Sequence, residues 1–166
     1  MILSANNQKI LKIIHLLFAS IWFSSILTMT TITILADGLT DGGEFYMLIN
    51  IYHFIDFIIL TPAAVGVLVT GFVYSIFTRW GFFKHGWLIY KWITTIILVA
   101  AGTFYLGPMT TEMLNISEEL RITALGNEEF LSRWQIGFWA GVINTAMLLI
   151  AFILSTLKPW KNIKKA

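Results

Sequence analysis

The sequence predicts an all-α integral membrane protein, an up-down bundle of four transmembrane helices. Three observations predict it. Hydrophobic residues make up 57% of the 166 positions and charged residues 12%, about half of the roughly 25% charge of a soluble domain. Four apolar runs, residues 10–35, 46–77, 87–107 and 134–157, each reach the ~20 residues that a helix needs to cross a ~30 Å hydrocarbon core. The connecting stretches hold most of the charge and sort it by sign. Only two loops are candidates for soluble structure, the longer being 108–133, so residues 1–166 are expected to form one membrane domain.

The first run is too long for a signal-peptide core and lacks a small-x-small cleavage site, so it is expected to stay as helix one. The second run is long for one span; either it tilts or its first turns stand outside the membrane. Pro62 lies inside it and supplies no backbone donor, which predicts a kink. The third run ends before the acidic loop. There, Asn115-Ile116-Ser117-Glu118-Glu119 is expected to start a short amphipathic surface helix, capped by Ser117. The fourth run carries Gly137-x-x-x-Gly141, a close-packing motif, and then Asn144, which would be costly in lipid and should face the bundle. Trp80, Trp87, Trp92, Trp134 and Trp160 fall near run ends, as an interfacial aromatic belt would.

Lys9, Lys12, Arg79, Lys84, Lys158, Lys161, Lys164 and Lys165 flank the runs in segments that contain no acid. The first loop carries Asp37, Asp41 and Glu44 with no base, and the third sets Glu112, Glu118, Glu119, Glu128 and Glu129 against Arg121 and Arg133. The positive-inside rule then places both termini and the second loop in the cytoplasm, across a bacterial-type inner membrane.

Cysteine is absent, which excludes disulfides, iron–sulfur clusters and thiolate metal sites. Chemistry must come from the ionisable residues in or beside the runs: His15, His53, Asp56 and Lys91. Each is expensive in lipid and is a candidate site residue for that reason. Helices one and three both run outward, and His15 and Lys91 lie about one turn inside their cytoplasmic ends, so they share a depth. Helix two runs inward and puts His53 and Asp56 towards the outer side, some 25 Å from His15 in depth. The two histidines therefore cannot ligate one haem iron. His15, Ala19, Trp22, Ser25 and Met29 make one stripe on helix one; Lys91, Thr95, Leu98, Gly102 and Tyr105 make another on helix three. Ordinary alternatives exist for each residue. Lys91 could snorkel to headgroups, His53 and Asp56 could bond to each other at i and i+3, and His85 could be solvated in its basic loop. Met29, Met109 and Met113 could bind copper, although spaced methionines in apolar runs usually fill space.

Lys12-Ile-Ile-His15-Leu-Leu-Phe-Ala-Ser-Ile-Trp22 resembles the first helix of the HemJ-type protoporphyrinogen oxidases. Leu60-Thr61-Pro62-Ala63 with Thr70-Gly71 is similar to that family's second helix, and Gly86-Trp87-Leu88-Ile89-Tyr90-Lys91 to the start of its third. Arg133, Asn144 and the Lys158-Pro159-Trp160 ending stand much as their counterparts do there. The chain also resembles small four-helix membrane families related to these enzymes. It departs from the pattern at Phe23-Ser24, where an aromatic-Gly pair is the rule, and it lacks the family's histidine late in helix one. The resemblance implies a four-helix membrane protein that binds haem b, with His15 and Lys91 as its essential pair.

The expected function is therefore a haem-b-binding membrane redox protein acting on a porphyrin or quinone. His15 is the expected iron ligand, and Lys91 a second ligand, a catalytic group or a counter-cation, with Trp22 and Asn144 beside the cofactor. The rival expectations are a non-haem binding or transport protein that handles a metal ion or protons with His53 and Asp56, and a structural membrane subunit. Expected partners are the lipid bilayer and a second copy of the chain, and no nucleic acid.

Overall fold

The computed structural model describes residues 2–159. Trp160, Lys161, Lys164 and Lys165, counted above in the aromatic belt and the basic flank, lie outside the described residues. Among the described residues four long helices form: α1 (Ala5–Leu35), α2 (Gly42–Phe77), α3 (Gly86–Gly126) and α4 (Glu128–Leu157). All are long and apolar enough to cross a membrane, and no strand occurs among the described residues. The molecule is an all-α four-helix bundle and a multi-pass membrane protein. The C-terminal half of α2 and helix α4 both pack on α1, and α4 also packs on α3.

Polar side chains define the helix starts. Ser4 accepts from the Asn7 N–H, Asp41 from Gly43 and Glu44 at 2.8 and 2.9 Å, and Asn127 from Phe130 at 2.9 Å. Each fills backbone donors that the first turn leaves orphaned. These caps start α1, α2 and α4 outside their apolar runs, while α3 starts after His85 with no side-chain cap, and every helix is longer than its run. The largest difference is in α3. The expected loop from residue 108 is instead helix, through Leu120 and on into a 3₁₀ turn over Arg121–Gly126. Ser117 is no cap: it is fully buried, and its hydroxyl donates to the Leu114 carbonyl. Amphipathic turns can continue a helix beyond the hydrocarbon, where hydropathy no longer marks it.

Both internal prolines follow a π-helical turn, over Ile55–Leu60 before Thr61-Pro62 and over Gly102–Leu106 before Gly107-Pro108. Thr61 N–H reaches back to the Asp56 carbonyl and Gly107 N–H to Gly102, each one residue further than in an α-helix. The kink expected at Pro62 is thus a widened turn that absorbs the missing donor. A π turn inserts one residue, so it shifts the helix face beyond it. Tyr105, expected on the inward stripe of α3, is 56% exposed, while Leu106 takes the inward place.

Charge separates to the two ends. Around the α1–α2 and α3–α4 connections stand Asp41, Glu44, Glu112, Glu118, Glu119, Glu128 and Glu129, with Arg133 paired to Glu112 and Glu129 and Arg121 over the Tyr46 ring. Phe45, Ile49, Met109, Met113, Phe130 and Trp134 form a core beneath them. The opposite end carries Lys9, Lys12, Arg79, Lys84 and Lys158.

Two glycines set close helix approaches. An added Cβ on Gly141 would collide with Thr30 of α1, as the Gly137-x-x-x-Gly141 motif leads one to expect. One on Gly66 would come within 2.5 Å of the Phe18 ring. Gly66→Ala is expected to lower stability by about 1–3 kcal/mol, because the whole ring must move. A thermal melt in detergent measures this, and an unchanged Tm would mean that α1 and α2 are not packed this closely.

Candidate functional site: a cation-lined cavity at the basic end

His15 lies between α1 and α2. Its Nδ1 is 2.7 Å from the Thr70 hydroxyl, which is itself 2.6 Å from the Gly66 carbonyl. That hydroxyl has one proton, and a carbonyl can only accept. The proton therefore goes to Gly66, and His15 donates its Nδ1–H to Thr70. This fixes the ring and leaves the lone pair on Nε2, the arrangement a ligating histidine needs.

The ring borders a cavity of about 340 Å³, within the ~300–1,000 Å³ typical of small-molecule sites. Lys12, Lys91 and Lys158 line it, and no Asp or Glu does among the described residues. Trp22, Trp80, Trp87 and Trp92 supply broad apolar walls, with Tyr74, Ser75 and Thr95 among them. The tryptophans expected in an interfacial belt thus turn inward here. Trp92 Nε1–H finds the Ser75 hydroxyl at 3.3 Å, and an indole N–H in an apolar setting needs such a partner. Trp134 is likewise buried, in the core of the acidic end. His85 stacks on Trp87 with ring centroids 6.1 Å apart.

Lys91 and His15 line the same cavity, as their matched depths predict, and lie close enough to interact electrostatically. Lys91 makes no hydrogen bond or ion pair among the described residues, whereas Lys158 lies 5.1 Å above the Trp80 ring. Three ammonium groups, aromatic walls and a histidine lone pair suit a flat, apolar ligand with acidic substituents.

His53 and Asp56 do not belong to this cavity. Because Thr70 marks the level of His15, His53 lies 17 positions away on α2, roughly 25 Å along the helix. The expected His53–Asp56 contact gives way to separate partners on α3. His53 Nε2 is 3.2 Å from the Thr111 hydroxyl, and Thr110 donates to Asp56 Oδ2 at 2.8 Å. Asp56 faces the bundle at 8% exposure, as the cost of a carboxylate in lipid requires. Asn144 also lies away from His15: with Asp56 it lines a second cavity of about 50 Å³, and Trp22 borders both cavities. Met29 and Met109 border this smaller cavity too, and Met113 is core.

Sequence reasoning missed Thr70, Lys12 and Lys158 as members of the main cavity. The signal for Thr70 was available: a polar residue about two turns before the basic end of α2 sits level with His15 on the neighbouring helix. No family model, curated protein or solved structure matches the chain.

Proposed function

We propose that this is a haem-b-binding membrane redox protein. In this reading His15 would hold the iron, and Lys91 would pair with a carboxylate of haem or of an acidic porphyrin substrate. The observation that carries it is the His15–Thr70 pair, which presents a free imidazole lone pair beside a cavity that, among the described residues, is lined by three lysines and no acid. Thr70 holds the ring in one tautomer. Lys12, Lys91 and Lys158 balance negative charge, and the tryptophans exclude water from the ligand plane. Haem bound there would supply one-electron chemistry towards a porphyrin or quinone. An absorption spectrum of protein purified in mild detergent, with haem supplied during expression, tests the reading. A Soret band near the b-type position is expected, and its absence with haem in excess would end the haem reading.

The cavity opens at the basic end, which the positive-inside rule assigns to the cytoplasm of a bacterial-type inner membrane. Cysteines placed at Gly38 and Gly126, where an added Cβ meets nothing within 4 Å, should react with an impermeant reagent in intact cells. Lys84→Cys should react only after lysis. The reverse pattern would invert the topology and put the cavity outside.

A further inference from the structure

The second cavity lies at the level of Asp56, which is 14 positions from Thr70 on α2, roughly 21 Å from the His15 site along the helix. The polar side chains of Asp56, Tyr52 and Asn144 border this cavity of about 50 Å³, with Thr30 and Thr110 beside them. Tyr52 and Asp56 are 5% and 8% exposed. Neither Tyr52 nor Asn144 makes a hydrogen bond among the described residues, and Asp56 makes one. The Thr110 hydroxyl lies 2.8 Å from Asp56 Oδ2 and 2.8 Å from the Gly107 carbonyl, so its one proton serves two acceptors, and Asp56 Oδ1 has no partner among the described residues. Polar groups inside a membrane bundle are nearly always partnered, so the Tyr52 hydroxyl, the Asn144 amide and the second Asp56 oxygen around one small space point to a ligand.

The chemistry of the lining narrows that ligand. The donors are oxygens: carboxylate, phenol, amide and the Thr30 and Thr110 hydroxyls. A hard cation selects such a set, while copper or zinc would select sulfur or imidazole. Among the described residues the cavity wall carries a single carboxylate and no Lys, Arg or His. One negative charge balances one positive charge, which favours a monovalent ion over Mg²⁺ or Ca²⁺. Water would fill the space without neutralising Asp56. Both π turns also meet here, since Leu60, Gly102 and Leu106 line the wall. The geometry points to a sodium-sized monovalent cation held between Asp56, Tyr52 and Asn144.

The test is a thermal melt of the full chain in detergent, in sodium chloride against N-methylglucamine chloride at equal ionic strength. Sodium is expected to raise Tm by about 5 °C at saturation. Asp56→Asn should remove the response, and Asn144→Ala should raise the sodium concentration needed for it by about tenfold. The second variant keeps the proposal testable should Asp56→Asn fail to fold. His15→Ala should retain the full response, so a failed haem site leaves this result readable. Equal melting in the two salts would overturn the proposal, as would an unchanged response in Asn144→Ala. A dependence on pH without one on sodium would also overturn it and assign a proton to Asp56.

Discussion

Replacing His15 by alanine is expected to abolish haem binding, with complete loss of the Soret band in purified protein. The imidazole Nε2 is the only nitrogen lone pair that this wall of the cavity offers, because Nδ1 is committed to Thr70. Without it the iron has no proximal ligand, and the lysines alone hold only the periphery. Thr70→Val removes the acceptor that sets the tautomer, at nearly constant volume. It should weaken haem binding about 10- to 100-fold while leaving a spectrum, as loss of a ligand's hydrogen-bond partner does at metal sites. His53→Ala should leave both affinity and spectrum unchanged, since Thr111 holds that ring roughly 25 Å away along α2. The contrast is decisive. Loss of haem in His53→Ala with retention in His15→Ala would move the site to the acidic end.

The membrane-spanning architecture was legible because a hydrocarbon core imposes one length on every span. The pairing of His15 with Lys91 was legible for a related reason: the rise of a helix converts residue number to depth, and depth needs no side-chain detail. The structure fails to follow the sequence reading where a helix leaves its ideal period. Tyr105 was placed inward by counting in threes and fours, and the π turn at Gly102–Leu106 rotates it outward. The same count pairs His53 with Asp56, whereas each bonds its own threonine on α3, Thr111 and Thr110. A one-residue insertion leaves composition and hydropathy untouched; a proline two places after it is the trace it leaves in the sequence. The length of α3 was hidden differently. Hydropathy reports burial in lipid, and residues 108–120 are buried against protein through only a narrow stripe, Met109, Thr110, Met113 and Ser117.

Those lessons bear on Lys91, where sequence left open whether the amine ligates iron or balances charge. The cavity favours charge balance. Lys12 and Lys158 share the lining with Lys91, no acid accompanies them, and Lys91 has no protein partner among the described residues. An acidic ligand would meet all three, whereas a ligating amine would leave the other two without a purpose. Lys91→Ala is therefore expected to weaken haem binding by about 2–5 kcal/mol, roughly thirty-fold or more, through loss of a buried charge pair. Lys91→Arg separates the two roles. A guanidinium keeps the positive charge and pairs carboxylates in bidentate fashion, but it stays protonated and cannot donate a lone pair to iron. On the charge-balance reading Lys91→Arg retains the wild-type Soret position with affinity close to wild type, and Lys91→Met falls with Lys91→Ala. If the amine is instead the second axial ligand, Lys91→Arg will show the shifted spectrum and Lys91→Met, whose thioether can ligate, will recover a six-coordinate one. Absorption spectra of the three variants, titrated with haem, decide between the roles.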